Sequence, residues 1–300
     1  MMSPQRDFGR DSGLQARMAL TMFLLGLIYV VLIAVAISAG GGIAIVVVIA
    51  AAFFGVQLFA SDKIALTAMG AKEVSVAQAP ELHSIIERLC VQANLPKPRV
   101  AMINAAMPNA CALGRSQKTA TVCATTGLIQ LLTPAELEGV LAHELTHVIN
   151  RDVMVMTIAS FFASIAGILV RFGIFFGGFG RGNRNVQAAF AAVLAVSVVV
   201  YAISFMLLRA LSRYREYAAD RGAAVITGRP SALSSALLKI SGTMERVPTR
   251  DLRSAAAMNA FFIVPANPKG SLRNLFATHP PIEKRIAALS RLESQLQGTR

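Results

Sequence analysis

His143-Glu144-Leu145-Thr146-His147 is the stretch that decides how this chain is read. The chain has only four histidines. Two of them stand one helical turn apart here, so both imidazoles leave one helix face and can grip a single metal ion. Glu144 lies beside them, placed to take a proton from water held by that metal rather than to bind it. Upstream, Thr133-Pro134-Ala135-Glu136 carries the marks of a helix start: Thr as N-cap, Pro at the first helical position and Glu three residues after the cap. The motif therefore falls about two turns inside a helix, the context this pattern requires. Bond hydrolysis is the chemistry it points to.

Downstream, no Gly-Pro stop separates the motif from an uncharged run, so the helix is expected to continue into it. His147 to Val153 spans roughly 9 Å at helical rise, which would put the metal just off a membrane face. Four such runs occur: Leu20–Ala39, Ile43–Ala60 with only Gln57 strongly polar, Val153–Val170 and Val186–Leu208. A helix crossing the hydrocarbon core needs about 20 residues, with about 17 as a lower limit, and all four qualify. They predict four transmembrane helices in two hairpins, the first turning at Gly40-Gly41-Gly42. A buried core helix is the alternative for the two shorter runs. Composition agrees: 55% of residues are apolar and 15% charged, against about 45–50% and about 25% in soluble domains. The first run exceeds a signal-peptide hydrophobic region and a second follows at once, so it is expected to stay as an anchor.

Basic residues near the run ends give an orientation. Arg6, Arg10 and Arg17 precede the first run, Lys63 and Lys72 follow the second, and Arg209, Arg213, Arg215 and Arg221 follow the fourth. Both termini and the segment carrying His143 are thus expected on the cytoplasmic side of the membrane. Arg171, Arg181 and Arg184 dissent from the outer loop, but are outnumbered. The net charge of +13 is spread along the chain without a dense block or an aromatic stacking pattern. That favours anionic lipid headgroups over nucleic acid as the partner. Cys90, Cys111 and Cys123 are odd in number and form no Cys-x-x-Cys pair. They suit a reducing compartment and read as small buried hydrophobes, not as a disulfide framework or a cysteine-bound zinc.

The expected organisation is a cytoplasmic tail over 1–19, a first hairpin over 20–60, the first half of a catalytic domain over 61–152, a second hairpin over 153–208 and the second half over 209–300. Pro80–Ala93 reads as an amphipathic helix with His83 on its surface. Arg99–Asn104 and Thr119–Thr125 read as strands, and Pro108–Gly114 as a short strand or an extended loop. Gly177–Asn185 is expected to be a turn. Arg209–Ala224 should continue the fourth run as a helix. Lys239–Thr278, with Pro248, Pro265 and Pro268, is mixed, and Pro281–Leu296 closes as an amphipathic helix.

Two histidines leave zinc one protein ligand short. One known pattern supplies a histidine six residues past the second, but that position is Val153. Glu216, in Arg213-Tyr214-Arg215-Glu216-Tyr217-Ala218-Ala219-Asp220, is the best distant candidate, because the second hairpin would return the chain to the site. A surface ion pair with a nearby arginine is the alternative. Asp220 lies one turn on, on the same face, where it could orient a ligating imidazole through its second nitrogen.

At this point the chain resembles the HtpX heat-shock protease family, membrane zinc metallopeptidases related to the CAAX prenyl proteases. The resemblance is carried by His143-Glu-Leu-Thr-His147, by Arg215-Glu216-Tyr217-Ala218-Ala219-Asp220 and by Thr278-His279-Pro280-Pro281 with Arg285, in that order. Pro108-Asn109-Ala110-Cys111-Ala112-Leu113-Gly114 is similar to the family's Asn-Ala-Phe-Ala-x-Gly stretch, with Cys111 at the aromatic position. The resemblance implies a mostly α membrane protein: four transmembrane helices in two hairpins, and an α+β zincin-like catalytic domain of gluzincin type with a small β-sheet. It implies one zinc ion held by His143, His147 and Glu216, Glu144 as general base, and Asp220 behind a ligand. His279 would stand near the oxyanion of the tetrahedral intermediate; by position alone it reads as a residue opening a helix before two prolines. Asn109, Ala110 and Cys111 would form an edge that pairs with the substrate backbone.

The implied function is a zinc-dependent endopeptidase using metal-activated water in quality control of damaged or misfolded membrane proteins, or of unfolded proteins. A processing peptidase of narrow specificity is the alternative. A catalytically silent scaffold or transporter is disfavoured, because none of the four runs holds an Asp, Glu, Lys, Arg or His.

Overall fold

The computed structural model describes residues 11–38, 43–176, 184–246 and 279–298. These form nine helices and four strands: α1 (Ser12–Ser38), α2 (Ile43–Ala68), β1 (Lys72–Glu73), α3 (Pro80–Ala93), β2 (Arg99–Ile103), β3 (Ala110–Leu113), β4 (Thr121–Thr125), α4 (Thr126–Leu131), α5 (Pro134–Asn150), α6 (Asp152–Phe176), α7 (Arg184–Thr227), α8 (Pro230–Met244) and α9 (Ile282–Gly298). The turn at Gly40-Gly41-Gly42, most of Gly177–Asn185, and Pro248, Pro265 and Pro268 lie outside the described residues. The chain divides into two compact units: Met1–Leu14 with Asp62–Met154 and Ser212–Arg300, and Gln15–Ser61 with Val155–Leu211.

In the first unit the strands form one sheet in the order β1-β2-β4-β3, with β2 and β4 parallel and the outer pairs antiparallel. Helix α5 packs on this sheet, where Val140, Leu141, Ala142 and Leu145 join Val122 and Ala124 of β4 in one core with Leu82, Ile86 and Leu89 of α3. Its start follows from the sequence. Thr133 and Glu136 form the reciprocal capping bonds, and Pro134 occupies the first turn, where a missing N–H costs nothing.

On its other flank α5 meets α8. A Cβ on Gly139 would lie 3.2 Å from the Leu233 backbone, so the glycine sets how closely the two helices approach. Leu233, Ala236, Leu237 and Ile240 fill the joint, and Leu289 of α9 closes it. A four-way polar clasp ties it at one end. Glu136 accepts from Ser235 Oγ at 2.6 Å, Lys239 Nζ at 2.8 Å and Thr133 N at 2.9 Å. Burial raises the Glu136 pKa, but these bonds outweigh it and bring the carboxyl down to about 2.

Two sequence expectations change here. Helix α5 does not run into the apolar segment. It stops at Arg151, which adopts left-handed backbone (φ 57°, ψ 32°) and returns its N–H to the carbonyls of His147 and Val148. His83 is not on the surface. It is buried, and its Nε2 lies 2.9 Å from the Val74 carbonyl.

In the second unit, Tyr29, Leu32 and Val200 form a small core with Phe162 packed against it. The rings of Tyr29 and Phe162 lie 4.8 Å apart, as do those of Phe54 and Phe161. Leu20, Phe23, Leu27, Val30, Val31 and Ile33 of α1 and Val198, Val199 and Met206 of α7 remain exposed. Apolar surface on that scale is stable in lipid, where a helix satisfies its own backbone. Among the described residues two helices are long and apolar enough to cross a membrane, Ser12–Val35 and Ala191–Thr227. They mark a membrane protein.

Candidate metal centre

Helix α5 carries His143, Glu144 and His147, and the last turns of α7 carry Glu216 and Asp220; all five are buried. The two imidazoles stand edge to face, with centroids 4.8 Å apart. Nε2 of His143 is 3.6 Å from Glu216 Oε2, and Nε2 of His147 is 3.7 Å from Glu216 Oε1. One ligand atom from each of the three residues lies within 4.8 Å of the others. Donors about 2.05 Å from a tetrahedral zinc would sit roughly 3.3 Å from one another. The two histidine–glutamate spacings, 3.6 and 3.7 Å, come close to that. The donor set, two neutral-capable imidazoles and a carboxylate, is also one that zinc accepts.

The other ring nitrogens face away from this point. His143 Nδ1 lies 3.0 Å from Asp220 Oδ1, and Asp220 is gripped by Arg285, whose Nε and Nη2 donate at 2.8 and 2.6 Å. Arg285 is completely buried and also reaches Glu216 Oε2 at 3.5 Å. Its positive charge is what permits two carboxylates in so small a volume. Burial pushes Glu216 upward, but the charge of His279, bonds with His143 and His279, and the Arg285 charge hold it well below the usual carboxylate range. Asp220 is likewise lowered against its burial, by the charge and bonds of Arg285 and the bond with His143. Burial lowers His143, yet its bonds with Asp220 and Glu216 raise it to about 9. A group of such basicity is a good metal donor once its proton is displaced.

Glu144 differs from the other two carboxylates. Burial raises its pKa, opposed by the charges of His143 and His147 and by the backbone N–H of Ala112 aimed at its carboxylate. Ala112 lies on β3, the terminal strand of the sheet. Thr125 N donates to the Asn109 carbonyl at 2.9 Å, so Asn109 and Thr125 are a hydrogen-bonded pair. By antiparallel alternation Cys111 and Leu113 also turn their backbone groups to β4, while Ala110 and Ala112 turn theirs to the open edge. Of Asn109, Ala110 and Cys111, only Ala110 thus offers free backbone bonding. The Cys111 side chain packs with Ala101, Ile103, Leu113 and Cys123 on the face away from the main core.

His279 precedes α9 and places Nδ1 3.0 Å from Glu216 Oε2. Three neighbours escaped the sequence reading. Arg285 stood in a quoted motif without a role, and Arg215 stood beside Glu216. Asp152, whose Oδ2 lies 2.6 Å from His147 Nδ1, was invisible because five residues along an unbroken helix it would point elsewhere.

A His-Glu-x-x-His helix completed by a glutamate from a second helix, under a small sheet whose terminal strand runs beside the glutamate of the motif, defines a metallopeptidase. Residues 76–293 match peptidase family M48. Relatives named Protease HtpX homolog include that of Moorella thermoacetica, 53% identical over 99% of this chain and 100% of its own length. Protease HtpX homolog 1 of Streptomyces coelicolor is 51% identical over 97% of both chains. Protease HtpX homolog 2 of Methanosarcina acetivorans is 50% identical over 97% of this chain and 99% of its own. Among solved structures, Ste24p of S. mikatae shares the fold, with a TM-score of 0.52, 17% identity, and coverage of 93% of this chain and 67% of that one. The chain belongs to peptidase family M48 and is a metalloprotease.

Proposed function

We propose that the protein is a zinc-dependent endopeptidase that cuts damaged, misfolded or unfolded proteins, including membrane proteins, at the cytoplasmic face of the inner (plasma) membrane. The observation that carries this reading is the convergence of His143 Nε2, His147 Nε2 and the Glu216 carboxylate on one point, with buried Glu144 next to it in the chain. His143, His147 and Glu216 are the ligands. A zinc ion held there would polarise the scissile carbonyl and lower the pKa of the attacking water.

The chain's own residues do the rest. Glu144 takes the proton of the attacking water and passes it to the leaving amine, and its burial keeps it a stronger base than a solvated carboxylate. Asp220 holds His143 with Nε2 toward the ligand point. His279 Nε2 is buried without a hydrogen-bond partner among the described residues. It is thus free to meet the oxygen on which negative charge develops. A substrate strand adds to the outer edge of β3 through both backbone groups of Ala110 and the carbonyl of Ala112, with Asn109 and Cys111 fixing that edge against β4.

The four apolar runs form two hairpins that anchor the catalytic halves 61–152 and 209–300, with the basic residues at their ends on the cytoplasmic side. Casein cleavage by the detergent-purified chain, with and without a zinc chelator, tests the activity. Chelator-sensitive cuts at many bonds are expected. Cleavage indifferent to the chelator would reject the zinc mechanism, and cleavage of a single defined bond would reject the quality-control role.

A further inference from the structure

Asp152 is fully buried, and Oδ2 sits 2.6 Å from Nδ1 of His147. In an unbroken helix a residue five positions on is rotated about 140° away and could not make this contact. The contact exists because α5 ends at Arg151 in left-handed backbone, a conformation that strains any residue with a Cβ. The break turns the chain so that the first residue of α6 faces back into the site. Arg215, one residue before Glu216, places Nε 3.2 Å from the same oxygen, Oδ2. The other oxygen, Oδ1, is buried without a hydrogen-bond partner among the described residues. One oxygen, Oδ2, thus meets the imidazole and the guanidinium together.

The arrangement repeats that on the other ligand, where Arg285 holds Asp220 and Asp220 holds His143 Nδ1. A carboxylate at Nδ1 keeps the proton there and leaves the lone pair on Nε2, the nitrogen that faces Glu216. We infer that Asp152, held by Arg215 and delivered by the break at Arg151, is a positioning residue that orients His147 for metal binding. This rests on the metal-centre reading above. Both imidazoles are then fixed from behind by Arg–Asp pairs drawn from different helices.

The test is zinc binding by the full chain in detergent, measured with zinc alone by competition against a chelator, for the parent, Asp152→Ala, Asp152→Asn and Glu216→Ala. Loss of such an outer partner weakens metal affinity roughly 10–100-fold. That loss is expected for Asp152→Ala. Asp152→Asn, which keeps an acceptor but not the charge, should fall between it and the parent. Parent-like zinc affinity in Asp152→Ala overturns the inference, and so does a lowered melting temperature of the zinc-free protein with unchanged affinity, which marks a merely structural pair. Should the alanine variant fail to fold, Asp152→Asn decides: weaker zinc binding supports the role, and parent-like binding overturns it. Zinc lost from Glu216→Ala but held normally by the Asp152 variants would sink this inference alone. Zinc held normally by Glu216→Ala would sink the metal centre and this inference with it.

Discussion

Gly222 of α7 lies against the side chain of Thr146 so closely that a Cβ there would fall 2.4 Å from Thr146 Cγ2 and 2.7 Å from its Oγ1. Thr146 cannot easily yield, since it is fully buried and its hydroxyl donates to the Ala142 carbonyl at 2.8 Å. The glycine therefore sets the separation between the helix bearing the two histidines and the helix bearing Glu216.

Gly222→Ala should accordingly damage both fold and site. Overpacking of this kind costs about 1–3 kcal/mol, and the displaced α7 carries Glu216 away from the imidazoles. A lowered melting temperature together with weaker zinc binding is expected. A variant matching the parent in both would show that the helix separation is not fixed here.

Glu144→Gln keeps the shape of the side chain but removes the proposed base. Zinc content should stay at the parent level while peptide cleavage falls by about 10²–10⁴. Cleavage near the parent rate by this variant, measured on casein, would remove Glu144 from the proton path.

The two parts of the site differ in how far they could be read in the sequence. The capping box, the helix it starts and the His-Glu-x-x-His spacing are local, and local chemistry fixes them. The same holds for strands β2 and β4, whose β-branched residues lie within one residue or two of the expected bounds. The helix stop at Arg151 was not legible, because a left-handed arginine carries none of the signals that glycine or asparagine gives at such a point. Asp152 went unseen for the same reason. His83 reads as a surface residue because its partner is the carbonyl of Val74, brought to it by the fold rather than by helical spacing. Helix α8 was missed although Pro230 stands at its first turn. Its serines blurred the apolar face that Leu233, Leu237 and Ile240 present to α5.

Acid should weaken the α5–α8 joint in a defined window. Glu136 titrates at about 2 in the folded chain against an ordinary value of 4.5. A depressed carboxylate adds stability above its unfolded pKa and loses it as pH falls through the folded one. The stability from Glu136 is thus present above about 4.5 and lost on the way down to about 2. In melting curves the parent should lose more over this range than Glu136→Gln, whose side chain cannot titrate. Equal losses would show that the clasp does not carry the charge assigned to it.

The thiols should be silent in the folded protein. Cys90, Cys111 and Cys123 are all free and buried. Burial raises Cys90 to about 11. The bond with Cys123, then burial, raise Cys111 well above the usual thiol range. Reaction needs an accessible thiolate. A maleimide at neutral pH should label none of the three in the native chain and all three after denaturation; rapid native labelling would contradict the packing of α3 and of the β3–β4 pair.

The most direct measurement is zinc per chain, taken with casein cleavage, for the parent and Glu216→Ala in the same detergent. One zinc and chelator-sensitive cleavage in the parent, with both lost in Glu216→Ala, is the predicted result. Full metal content and undiminished cleavage in Glu216→Ala would contradict a centre built from His143, His147 and Glu216.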